Sequence, residues 1–148
     1  AAQKAASAAI KKSQKSESKS KSDASVQIGN GGGSSSGNAV AGFASQFVGN
    51  PYVYGGTSLT NGADCSGFVM SVYANFGVGL PHSSSALRSV GYGVSLADAQ
   101  PGDIICYSGH VAIYVGNNTI VHASTASTGI KFTSPVNYKN VLAVRRIF

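Results

Sequence analysis

Only two cysteines occur in the 148-residue chain, too few for a disulfide framework. They neither establish nor exclude an oxidising compartment. Histidine is nearly as scarce, at three, so any chemistry that needs an imidazole must draw on His82, His110 and His122. No apolar run is long enough to span a bilayer. Acidic residues number five against eleven basic ones. Lys4, Lys11, Lys12, Lys15, Lys19 and Lys21 all fall in the first stretch, which leaves the remainder only mildly basic. Without a dense basic face, nucleic-acid binding is not expected. The chain has neither an initiator Met nor a secretion signal. The start therefore reads as an internal cut or an expression boundary, which leaves room for domains upstream.

What is present suffices for one packed domain, with 43% hydrophobic residues. Residues 1–38 are low in complexity: Ala, Lys and Ser dominate to about Ser25, and Gly29 to Gly37 is rich in Gly and Ser. Such composition cannot bury enough apolar surface to order itself, and it predicts a disordered tether. The folded domain is expected over 39–148. Val40, Phe43, Phe47 and Val48 recur at helical spacing behind a candidate N-cap, Asn38. Asn50-Pro51 ends that helix. A second helix is predicted from about Cys65, with Phe68, Val69, Val72, Tyr73 and Phe76 as its apolar stripe and Gly77 as its stop. A short third helix is predicted over Ser84 to Val90. Beyond Pro101-Gly102 the segments 104–107, 111–115, 119–123, 129–132 and 141–147 read as strands of an antiparallel meander. Helices first and strands afterwards make an α+β domain.

Cys65 lies where a Gly-rich loop meets the second predicted helix. A thiol there feels the positive end of the helix dipole, which favours the thiolate. Free N–H groups at that end suit an oxyanion hole. The plainer reading is a small buried cysteine with Asp64 as the helix N-cap. Gly67 would let another segment approach closely.

A cysteine nucleophile needs a histidine base, and the base needs an orienting partner. His110 and His122 fall on consecutive strands joined by Gly116-Asn117-Asn118. A three-residue loop sets Val115 opposite Thr119 and Ala112 opposite His122, so His110 becomes a diagonal neighbour of His122 on one face. A two-residue loop would separate them onto opposite faces. Cys65, Cys106, His110 and His122 are also zinc-ligand types, but their spacing fits no compact zinc pattern, and no metal is expected.

Several motifs occur in order: Pro51-Tyr52-Val53-Tyr54-Gly55-Gly56, Asp64-Cys65-Ser66-Gly67-Phe68-Val69, Leu80-Pro81, Pro101-Gly102-Asp103-Ile104, Gly109-His110-Val111-Ala112-Ile113-Tyr114-Val115-Gly116 and Val121-His122-Ala123-Ser124. Together they resemble the NlpC family of bacterial cell-wall cysteine peptidases over residues 39–148. The resemblance implies a reduced papain-like α+β fold, with N-terminal helices packed on an antiparallel sheet. It implies a Cys–His–His triad in which Cys65 attacks, His110 is base and then acid, and His122 orients His110. Tyr52 matches a tyrosine that supports the tetrahedral intermediate, and Tyr54 a position filled by a bulky core residue. Asp64 and Ser66 match positions that hold the polar end of the stem peptide in some members, and Ser83 is a further candidate contact. The implied reaction is hydrolysis of the γ-D-glutamyl–diamino acid bond of peptidoglycan stem peptides or muropeptides, with no cofactor. The expected setting is secreted or wall-associated, in a bacterium of Gram-positive type, with a monomeric catalytic domain. A related papain-like amidase or acyltransferase and a non-catalytic wall-binding module are the alternatives. The chain departs from the family at His82, where many members carry Arg; a pH-sensitive substrate contact and an exposed loop histidine are the two readings. Cys106 is expected to be a small buried apolar residue.

Overall fold

Ser34 opens the part of the chain, residues 34–148, that the computed structural model describes; of the tether expected over 1–38, residues 1–33 lie outside the described residues, and 35–38 are corrected to helix. The Ser34 hydroxyl accepts a hydrogen bond from the Gly37 N–H at 2.9 Å and caps α1, Ser35–Ser45. The helix thus begins four residues before the boundary expected at Ala39. A local cap outweighs the poor helix propensity of Ser and Gly in its first turn. Val40, Phe43 and Ala44 form its buried stripe.

A loop carrying the two-residue strands β1 (Thr57–Ser58) and β2 (Gly62–Ala63) leads into α2, Cys65–Ala74. Asp64 caps α2 by accepting from the Gly67 N–H at 2.8 Å. Gly77 ends the turn as expected, with a left-handed φ of 79°, while the Val78 N–H returns to the Tyr73 carbonyl. The third predicted helix is only a 3-10 turn over Ala86–Ser89.

β3 (Tyr92–Gly93), β4 (Ile104–Tyr107), β5 (His110–Gly116), β6 (Thr119–Thr125), β7 (Gly129–Thr133) and β8 (Val141–Arg146) form one antiparallel sheet. Its order is β3-β8-β4-β5-β6-β7. The meander holds from β4 to β7, but β8 returns to the open edge of β4 instead of extending it. α1 and α2 pack on the sheet face that carries Ile104, Cys106, Val111, Ile113, Val121 and Ile130. The other face buries Ile105, Tyr107, Ala112, Ile120 and Val144 with Val136. A sheet covered on both sides explains why β4 is apolar at every position.

The β5–β6 turn differs from the expected one in a way that preserves its consequence. Gly116 pairs with Thr119, so the loop is the two residues Asn117 and Asn118, with φ of 54° and 60°. Those angles are what a tight hairpin turn of this hand requires. A bulge between Tyr114 and Gly116 absorbs one residue, and Ile113 still faces Val121. Continuing that register sets Ala112 opposite His122.

Candidate active site

Cys65 is the first residue of α2, half-buried beside the core, and is not disulfide-bonded. The loop before it is fixed by close packing. The Asp64 N–H donates to the Gly56 carbonyl, and the Gly55 N–H donates to Asp64 Oδ2 at 2.9 Å. A Cβ on Gly67 would collide with that same Gly56 carbonyl, so only glycine lets the loop lie against the helix start.

Backbone N–H groups of Val111, Ser66 and Cys65 itself act on the sulfur to lower its pKa, Val111 most strongly. Val111 follows His110, so the start of β5 brings the sulfur and the expected base to one place. Among the described residues the sulfur makes no hydrogen bond to an imidazole. Burial pushes the thiol pKa up; the Val111 N–H opposes this, Asp64 adds to it, and the net shift is upward. The expectation of a dipole-stabilised thiolate is therefore corrected. Desolvation and the Asp64 carboxylate outweigh the neighbouring backbone N–H groups, so the thiol is shifted up and not down.

His110 and His122 are both buried. His110 Nε2 lies 2.7 Å from His122 Nδ1, and the rings meet edge-to-face at 4.9 Å between centroids. His122 Nε2 in turn lies 2.7 Å from Thr133 Oγ1. Burial lowers the His110 pKa to about 4, with a further push from Lys139. Burial likewise lowers His122 to about 3, with His110, Lys131 and Lys139 adding repulsion. Both values lie well below pH 7, which favours the neutral rings there. Tyr138 packs against the His122 ring at 5.8 Å and against Tyr107 at 5.4 Å. Lys139 sits 6.0 Å from the Tyr138 ring.

The other expected residues fall around this centre. Tyr52 is half-buried and bridges to Ala63 beside the loop that leads to Cys65. Its phenol pKa is raised by burial and by Cys65, Asp64 and Tyr54. Tyr54 is corrected from a core residue to an exposed one, 89% accessible. It rides on the tight loop closed by the Gly56 N–H to Val53 carbonyl bond. Ser66 is buried in the first turn of α2. His82 is an exposed loop histidine, and its Nε2 lies 2.8 Å from Asp64 Oδ1. Burial alone would raise the Asp64 pKa, but His82 and the Gly67 and Gly55 N–H groups outweigh it and hold the carboxyl below its usual range. Ser83 Oγ accepts from the Ala86 N–H at 3.2 Å, just before the 3-10 turn. Cys106 is fully buried, and its thiol is pushed up to about 11 by burial.

Thr133 and Tyr138 are the site residues that sequence reasoning missed. Thr133 stands two positions past Lys131, the cross-strand partner of His122, and that diagonal offset was the available signal. Tyr138 lies in the β7–β8 loop and had none. A surface depression of about 650 Å³ lined by Val94, Asp98 and Arg146 contains neither Cys65 nor a histidine and offers no nucleophile. Among the described residues no group of three or more His, Cys, Asp or Glu side chains is placed to hold a metal ion. No described helix is long and apolar enough to cross a membrane.

Residues 49–146 match the NlpC/P60 family. A probable endopeptidase of Mycobacterium tuberculosis is 42% identical over 96 residues, which cover 63% of this chain and 25% of that protein. A γ-D-glutamyl-L-lysine dipeptidyl-peptidase of Bacillus subtilis is 33% identical over 113 residues, 69% of this chain and 38% of that protein. The chain spans 25% to 46% of the length of the five curated relatives that are 40–42% identical to it. Among solved structures, NlpC1 from Trichomonas vaginalis superposes with a TM-score of 0.72 at 26% identity, covering 78% of this chain and 45% of that chain. The NlpC/p60 domain of the peptidoglycan hydrolase SagA gives 0.68 at 30% identity, with 75% and 98% covered. By sequence match and by its reduced papain-like α+β fold, the chain belongs to the NlpC/P60 family.

Proposed function

We propose that this domain is a peptidoglycan endopeptidase that cuts the γ-D-glutamyl–diamino acid bond of stem peptides through a Cys65–His110–His122 acyl-enzyme mechanism. The observation that carries the reading is the Cys65 sulfur against the Val111 N–H, one residue from a buried His110 hydrogen-bonded to His122. Family membership and the relative named for γ-D-glutamyl-L-lysine cleavage support the class of bond.

His110 Nε2 is engaged by His122, which leaves Nδ1 to take the thiol proton. The sulfur attacks the carbonyl carbon of the γ-glutamyl amide. The negative charge that develops on oxygen is met by the Cys65 N–H at the start of α2 and by the Tyr52 hydroxyl. His110, now an imidazolium, gives its proton to the departing amine of the diamino acid. Water, activated by the same ring, then cleaves the thioester and regenerates the thiol. Asp64, Ser66 and Ser83 lie toward the acyl half of the peptide, with His82 holding Asp64 in place. The substrate is a stem peptide or muropeptide, and the working location is the bacterial cell surface.

Digestion of purified peptidoglycan followed by mass spectrometry tests the reading. Fragments ending in D-glutamate, released by the native domain and not by Cys65→Ala, are expected. Cleavage at the sugar–peptide amide or between glycans instead would refute it.

A further inference from the structure

Thr133 reaches the mechanism only through His122. Its Oγ1 stands 2.7 Å from His122 Nε2, while His122 Nδ1 stands 2.7 Å from His110 Nε2. His122 is 1% exposed, so water has little access to either ring nitrogen. Three polar groups on β5, β6 and β7 therefore form one line that ends on a hydroxyl.

A neutral imidazole carries a proton on one nitrogen only. For His110 to accept the thiol proton on Nδ1, its own proton must sit on Nε2 and be donated to His122. His122 Nδ1 must then be bare, and the His122 proton must sit on Nε2. That buried N–H needs an acceptor, and Thr133 Oγ1 is the one within reach. The same arrangement serves the imidazolium, whose Nε2 proton still points at a bare His122 Nδ1. No ring has to turn over as the proton moves.

We infer that Thr133 is a positioning residue that, by accepting the His122 Nε2 proton, selects the tautomer in which His110 can act as base. Without that oxygen, the His122 proton is better placed on Nδ1. There it opposes the His110 Nε2 proton and drives the His110 proton onto Nδ1, where the ring cannot accept from sulfur. The inference rests on the Cys–His–His reading above, but its first measurement does not depend on activity.

The test uses the protein labelled with nitrogen-15 in histidine, at neutral pH where both rings are uncharged. Ring nitrogen shifts report the tautomer of His122, and turnover of a γ-D-glutamyl-lysine peptide reports kcat and KM. His122 protonated on Nε2 in the native protein is expected. In Thr133→Val the proton moves wholly or partly to Nδ1 and kcat falls about tenfold at unchanged KM. Thr133→Ser restores the tautomer and most of kcat. A native His122 protonated on Nδ1 overturns the inference with no variant needed. So does a Thr133→Val protein that loses activity with its tautomer unchanged, since that is a purely structural effect. If Cys65→Ala keeps full activity, the mechanism itself fails, and the tautomer shifts still decide the role of Thr133.

Discussion

His110 and His122 meet nitrogen to nitrogen, Nε2 to Nδ1 at 2.7 Å, with ring planes at 77°. The contact fixes the orientation of His110 through a hydrogen bond that neither solvent nor a carboxylate supplies. His122→Ala therefore frees the His110 ring to rotate away from the sulfur. We expect kcat on a γ-D-glutamyl peptide to fall on the order of 10²-fold, with the circular dichroism spectrum unchanged. His110→Ala should be more damaging, because it removes the base itself. A His122→Ala enzyme at native kcat would mean that His110 is held by something else.

Acid should act on activity and stability through the same two rings. Their pKa values, about 4 and about 3, lie below the unfolded value of about 6.5. The unfolded chain therefore binds more protons in this range. The stabilisation from keeping the rings neutral is complete above about pH 6.5 and is lost as pH falls toward 4. Urea midpoints measured from pH 7 to pH 4.5 should decline accordingly. The acid limb of kcat/KM should lie well below pH 6.5.

Lys139 adds to the depression of both histidine pKa values. Lys139→Met should move the acid limb of kcat/KM to higher pH. An unchanged limb would show that Lys139 does not contribute to these values.

Iodoacetamide should separate the two cysteines. Cys65 is half-buried at a helix start, whereas Cys106 is wholly buried with its thiol at about 11. Peptide mapping should find the label on Cys65 first. The Cys65 rate should rise with pH above neutrality, because its thiol is also shifted upward. Equal labelling of the two would contradict this description of the site.

Gly67→Ala places a methyl group against the Gly56 carbonyl. The loop bearing Tyr52 and Tyr54 must move or the helix must shift. A loss of about 1–3 kcal/mol in stability is expected, read from urea denaturation, together with reduced kcat. A fully stable and active Gly67→Ala protein would mean that the loop yields freely.

The parts of the fold that were legible in the sequence are those set by local pattern. The Val111–Val115 and Thr119–Ala123 alternation, the Gly77 stop and the apolar stripe of α2 each follow from a single segment. The start of α1 was hidden because Ser34 and Gly37 read as linker until the cap and its contact are seen together. The histidine pair was reached by a route that needed correction. The turn has two residues, and the bulge before Gly116 restores the register that a three-residue loop would have given. The family position that Tyr54 matches assigns it to the core, yet the loop turns it outward. Thr133 and Tyr138 depend on where β7 and the following loop fold over β6, which no local pattern encodes. The electrostatics of Cys65 were likewise closed to sequence reading, because burial and the Asp64 carboxylate raise its pKa and only the fold sets them.

The central claim is that Cys65 becomes covalently bonded to the acyl half of the stem peptide. Rapid acid quenching of a working digest, followed by intact-protein mass spectrometry, reads this directly. We expect an adduct equal to the fragment ending in D-glutamate, mapped to Cys65 and absent from Cys65→Ala. Release of the same fragments by Cys65→Ala at the native rate, with no adduct on the native protein, would contradict the account.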